Sequence, residues 1–186
     1  MSQRVLQART SILEAGGLAA RSPRFEQLFV QHYRWVWRTL RRLGVEERLV
    51  DDAAQQVFIV LSTRLDSVPE NQESAFLMGT MLRTAANSRR SAARSIEVGR
   101  DVLSEASPAP NPEQLLDWKQ RRERLDVWLD GLGLELRAPF VLFELEGLGV
   151  AEVADLLDLP LGTVKTRLRR ARALFVEFVA QSGERT

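Results

Sequence analysis

Lys165, Arg167, Arg169, Arg170 and Arg172 fall within residues 165–172, a stretch that contains no acid. Guanidinium and ammonium groups packed this closely suit one chemistry, the binding of phosphates and of guanine edges. An ordinary solvated helix face is the bland alternative. Such faces carry acidic partners at i+4, and this one has none. The chain offers little for bond-breaking chemistry. It has one histidine, His32, and no cysteine. A histidine-based triad, a metal-ligand cluster and a thiolate site therefore lack raw material, and no glycine-rich phosphate loop occurs. His32 lies between Phe29 and Val36 on an apolar stripe, so a packed helix residue is expected there rather than a ligand.

The elements that must position the cations can be read around them. Residues 147–172 run GLGVAEVADLLDLPLGTVKTRLRRAR. Val150, Val153, Ala154 and Leu157 share one face of a first amphipathic helix. Asp158 follows, a residue whose short side chain tolerates the left-handed conformation of a sharp turn. Pro160 can open the next helix because its missing N–H would have no partner there. Val164, Leu168, Ala171, Phe175 and Phe178 then form a continuous apolar stripe. Lys165, Thr166, Arg169, Arg170 and Arg172 fall opposite, with Arg167 at the margin. Two helices, a tight turn and a basic second helix make the pattern of a helix-turn-helix, whose second helix enters a DNA major groove.

Composition sets the frame. The 186 residues suffice for one large domain or two small ones, and 45% apolar content supports packed cores. No apolar run is long enough for a membrane span. The first 22 residues, interrupted by Arg4, Arg9, Glu14 and Arg21, do not read as a signal peptide, so a cytoplasmic location is expected. The net charge of +1 hides an asymmetry. Residues 113–158 carry eleven acids against five bases, whereas residues 83–100 carry five arginines against Glu97 alone. Two cationic patches separated by an acidic segment point to two DNA contacts.

Nearly every segment has helical spacing, so the expected fold is all-α. Phe25, Leu28, Phe29, His32, Val36, Leu40 and Leu43 mark a first helix that Gly44 ends. A second runs from about 49–51 to Leu65, with Ala54, Val57, Phe58 and Leu61 on one face. Residues 66–73 read as a loop. A third helix begins near Ser74, runs to about Ser95, and turns from apolar (Phe76, Leu77, Met78, Met81, Leu82) to basic (Arg83, Arg89, Arg90, Arg94). Pro108, Pro110 and Pro112 make residues 96–113 a linker. Helices resume with Leu115, Leu116, Trp118, Leu125, Trp128 and Leu129, break at Gly131 and Gly133, and resume again around Pro139, Phe140 and Val141 until Gly147. The expectation is two small helical domains, 24–95 and 114–180, joined by a flexible linker, with a helix-turn-helix at about 150–175. The four tryptophans are expected in cores or interfaces.

The residues resemble a known family, the extracytoplasmic-function (ECF) group of bacterial RNA polymerase sigma factors. Residues 142–172, LFELE followed by the helix-turn-helix above, are similar to the family's region 4 nearly position for position. Phe25, Leu28, Phe29, His32 and Tyr33 resemble the start of region 2, and residues 52–58, DAAQQVF, resemble its polymerase-binding helix. The likeness spans 24–95 and 114–180 and leaves the extension 1–23 and the linker uncovered.

The resemblance implies a protein without catalytic chemistry or cofactor. It would bind core RNA polymerase, at the clamp helices of the largest subunit and the flap of the second largest. It would also recognise promoter DNA and could be held by an anti-sigma factor. Asp52, Gln55, Gln56 and Phe58 would contact polymerase; an ordinary core helix with its polar residues in water is the alternative. Asn71, Arg83, Asn87, Arg89 and Arg90 would handle the −10 element, where opening needs bases drawn from the stack and cations on the backbone. Thr163, Lys165, Thr166, Arg167, Arg169 and Arg170 would read the −35 element. The chain departs from the pattern with Val68 where an aromatic is common and Arg83 where asparagine is frequent. Two other readings stand beside this one: a stand-alone helix-turn-helix regulator, and a helical adaptor binding a protein through its acidic segment.

Overall fold

The computed structural model describes residues 10, 12, 22–95 and 114–183, with side chains over 22–90 and 120–181. The linker 96–113, Arg94, Leu115, Leu116, Trp118 and nearly all of the N-terminal extension lie outside the described residues and side chains, although Ile12 is fully buried. The chain divides into two compact units, residues 1–104 and 105–186.

In the first unit, α1 spans Pro23–Arg42. Ser22 Oγ accepts from the Phe25 N–H at 3.1 Å, and Pro23 takes the first helical position. The helix ends as its glycine dictates. Gly44 sits at φ +92°, its N–H donates to the Arg41 carbonyl and the Val45 N–H to the Leu40 carbonyl. Buried Val45 completes this C-terminal cap. Next come α2 (Glu47–Arg64), a 3-10 turn (Leu65–Ser67) and α3 (Glu73–Ser95). The segment expected to be loop from residue 66 is therefore loop only from Val68 to Gln72.

The three helices pack pairwise around a core supplied by Phe25, Phe29, Val36 and Leu40 of α1, Ala54, Val57, Phe58 and Leu61 of α2, and Leu77, Met81 and Ala85 of α3. Each large apolar side chain buried there contributes about 1.5–3 kcal/mol. Trp37 Nε1 donates to Asp51 Oδ1 at 2.9 Å, tying α1 to α2.

The second unit holds α4 (Gln114–Gly131), α5 (Leu134–Phe140), α6 (Val150–Leu157) and α7 (Leu161–Gly183). Pro139 has no N–H to return to the Glu135 carbonyl, and the helix widens just beyond it into a π-turn, Val141–Leu145. Trp128 of α4 anchors the core, edge-on to Phe140 at 4.8 Å and to Phe175 at 5.0 Å between ring centroids. Leu129, Leu142, Val153, Val164, Leu168 and Ala171 fill the rest.

Candidate nucleic-acid interface

The second unit builds its basic face from the turn outward. Glu152 accepts from the Gly149 N–H at 2.7 Å and caps α6 at its start. Asp158 ends α6 in the left-handed region, φ +52° and ψ +52°. The Leu159 N–H then reaches back to the Ala154 carbonyl at 3.0 Å. This reversal fixes where α7 leaves. The Pro160 carbonyl accepts from the Thr163 N–H at 2.9 Å, setting the first turn of α7.

Along α7 the apolar stripe goes inward: Val164, Leu168 and Ala171 are buried, Phe175 and Phe178 half-buried. Lys165, Thr166, Arg169 and Arg170 are exposed, while Thr163 and Arg167 are half-buried at the edge. The Thr166 hydroxyl is turned back onto its own helix, donating to the Gly162 carbonyl at 2.9 Å. Among the described residues Lys165, Arg167, Arg169 and Arg170 carry no ion pair, so their donors are available to an anionic ligand. An open groove of about 370 Å³ runs along Thr163, Thr166, Arg167 and Arg170, and Glu135 and Leu136 of α5 form its other wall.

Arg172 does not join this face. Its Nε lies 2.5 Å from Glu144 Oε1, and its guanidinium sits 5.1 Å from the centre of the Phe143 ring. It pins α7 to the π-turn after α5, a cation–π contact and an ion pair made through one side chain.

In the first unit the residues expected at a −10 element separate. Arg83, Asn87 and Arg90 are exposed at steps of four and three on α3, and so share a face. Arg90 Nη2 donates to Asn87 Oδ1 at 2.6 Å, and Arg83 Nη2 to Thr80 Oγ1 at 3.3 Å. Arg89 turns the other way. Half-buried, it donates to the Leu43 carbonyl, one of the acceptors that the end of α1 leaves open. Its expected place at the DNA is corrected: its guanidinium closes the end of a helix. Asn71 is exposed at the tip of the 68–72 loop with φ +73°, a conformation asparagine tolerates better than most residues.

The loop is held from α1. Arg24 Nη2 donates to the Val68 carbonyl and to Glu73 Oε1, both at 2.8 Å, and Nη1 donates to the Leu65 carbonyl at 3.3 Å. The Arg24 hydrogen bond holds the Glu73 carboxyl below the usual carboxylate range. Burial lowers the pKa of His32, opposed by the charge of Glu73, and its ring meets Trp35 at 5.6 Å. It is half-buried among its neighbours.

On α2, Asp52 and Gln56 are exposed and Gln55 half-buried, with half-buried Ile59 on the same side. Phe58 is not there. It is fully buried, 4.9 Å from Phe29 and 6.0 Å from Tyr33 between ring centroids. The expectation that Phe58 touches polymerase is corrected, because its ring is the centre of the unit's aromatic cluster. Arg24 and Glu73 escaped the sequence reading because their partners lie up to 49 residues away.

Among the described residues no group of three or more His, Asp or Glu is placed to hold a metal, and no helix is long and apolar enough to cross a membrane.

Comparison with known proteins bears on both units. The family described as "Sigma-70, region 4" matches residues 122–175. The ECF RNA polymerase sigma factor SigE of Mycolicibacterium smegmatis is 29% identical over 183 residues, 95% of this chain and 70% of that protein. The ECF RNA polymerase sigma-E factor of Escherichia coli K12 is 32% identical over 135 residues, 66% of this chain and 70% of that protein. Among solved structures, the sigma factor RpoE of Bartonella quintana, in complex with the anti-sigma factor NepR, shares the fold. Its TM-score is 0.67 at 17% identity, over 86% of this chain and 98% of that one.

Proposed function

The chain belongs to the ECF group of RNA polymerase sigma factors, and on that premise we propose how its two helical units share the work of initiation. It is an alternative sigma factor: it binds core RNA polymerase, carries it to a promoter and helps open the duplex. The exposed side of α2, with Asp52, Gln55 and Gln56, is the polymerase contact on the largest-subunit clamp helices, and the second unit meets the flap of the second largest subunit. The α7 face of Thr163, Lys165, Thr166, Arg167, Arg169 and Arg170 reads the −35 element, with arginines donating in pairs to guanine O6 and N7. Asn71, with Arg83, Asn87 and Arg90, takes the −10 element, cations on the backbone and a loop beside unstacked bases. Arg89 and Phe58 support these faces from inside. The protein acts in the cytoplasm without catalytic chemistry of its own, and an anti-sigma factor is a further partner.

One observation carries this reading over a stand-alone helix-turn-helix regulator. The likeness to the E. coli sigma-E factor covers 66% of the chain, more than either unit, 1–104 or 105–186, contains. A regulator needs only the second unit; a sigma factor needs both.

Run-off transcription with purified core polymerase and a randomised promoter pool tests it. The expected result is initiation from templates that share a −35 and a −10 sequence. Tight DNA binding by the protein alone, with no initiation from any template, would leave the regulator reading standing instead.

A further inference from the structure

We propose that Arg24 is a positioning residue for −10 recognition: from the first turn of α1 it sets the shape of the 68–72 loop that presents Asn71. This rests on the reading above, that the loop faces the −10 element.

The geometry is a three-point hold by one guanidinium. Its acceptors are the Leu65 carbonyl in the 3-10 turn, the Val68 carbonyl where the loop begins, and the carboxylate of Glu73, the first residue of α3. The two ends of the loop are thus tied to one planar group, and residues 69–72 span the gap between them. Inside the span the Gln72 N–H returns to the Pro69 carbonyl at 3.1 Å, and Asn71 takes its left-handed conformation. Asparagine adopts this conformation at lower cost than most residues, so the loop needs its two ends held rather than a strain imposed at Asn71.

Arg24 is itself well anchored. It stands between Pro23, which begins α1, and Phe25, which is buried and whose N–H is capped by Ser22. Only arginine offers donors in a fork rigid enough to serve three separated acceptors, and a lysine ammonium has neither the plane nor the reach across them. The bonds to Val68 and Glu73 are short and charge-assisted, the strong class. The loop itself buries little besides Val68, so its shape depends on this hold more than on packing.

The test uses holoenzyme reconstituted from core polymerase and full-length variants, scored on promoters with single-base changes at −10 and at −35. Arg24→Ala is expected to flatten the preference at −10 about tenfold, the scale of one lost charged hydrogen bond. Preference at −35 and co-purification with polymerase should be retained. Arg24→Lys should lie between, and Glu73→Gln, which keeps the shape but not the charge, should show a smaller loss in the same direction. If Arg24→Ala fails to fold, the latter two decide.

Equal loss on every promoter, with the −10 to −35 ratio unchanged, would overturn the proposal and leave Arg24 a stabilising residue only. Asn71→Ala separates the underlying reading. If it leaves −10 preference intact, the loop does not face that element and the functional reading fails there. If it flattens the preference while all three clamp variants do not, only the positioning proposal fails.

Discussion

Replacing Phe58 with alanine distinguishes an inner residue from a polymerase contact. Phe58 is fully buried, and three rings surround it: Phe29 at 4.9 Å, Tyr33 at 6.0 Å and Phe25 at 6.4 Å. Phenylalanine-to-alanine changes in cores cost about 3–5 kcal/mol, from lost transfer energy and the cavity left behind. Aromatic pairs add about 0.5–1.5 kcal/mol each beyond burial, which places Phe58→Ala in the upper half of that range. A unit the size of residues 22–95 has about 4–11 kcal/mol of stability in all. The change therefore removes a third or more of it. The urea midpoint of that unit should fall by at least about 1 M at ordinary slopes. The assay is urea unfolding of the intact chain, followed by circular dichroism and by tryptophan fluorescence, to which Trp35 and Trp37 on α1 contribute the signal of this unit and Trp128 that of the other. Phe58→Leu should cost about 1–2 kcal/mol and keep polymerase binding in the cold. Gln56→Ala supplies the contrast: the residue is exposed, so the unfolding free energy should change by less than about 0.5 kcal/mol while capture of core polymerase weakens. An unchanged midpoint in Phe58→Ala, together with lost polymerase capture, would refute the placement of this ring.

Arg170→Ala should weaken binding to the −35 element by about 1–3 kcal/mol and relax preference at one base position; unchanged affinity at several salt concentrations would remove it from the interface. Asp158→Val puts a β-branched residue at φ +52° and should cost about 1–2 kcal/mol in thermal unfolding of the second unit, whereas Asp158→Gly should be neutral or slightly stabilising. His32 has a pKa below its ordinary value because burial disfavours its charge. The unfolded chain therefore takes up the proton first as pH falls. Stability from the neutral ring is present above about pH 6.5 and is lost as pH drops through the folded value. His32→Gln should show a shallower loss of urea midpoint than the wild-type chain between about pH 7 and about pH 5; equal slopes would exclude the residue.

Much of the fold was legible because its determinants are local. A stripe at helical spacing, Gly44 after α1 and Asp158 before α7 each act through backbone preferences within a few residues. The order of helices and the outward basic face of α7 follow from these alone. What the sequence could not decide was which flank of a stripe a neighbouring helix would cover. Phe58 stands only two residues from Gln56, and helix geometry turns it about 200° away, but only the presence of α1 makes that side the inside. The same holds for cations. Arg83, Arg89 and Arg90 look equivalent in a basic run, yet Arg89 alone faces a helix end 46 residues earlier in the chain. Arg172 and Arg24 likewise find acceptors 28 and up to 49 residues away. The sequence by itself determined the helices, the turn and the presence of a dense set of guanidinium groups. The tertiary structure decided which of those groups stay exposed and which hold the protein together. The reason is that a guanidinium goes to whichever acceptor lies within its reach, and packing brings in acceptors that local spacing cannot reveal.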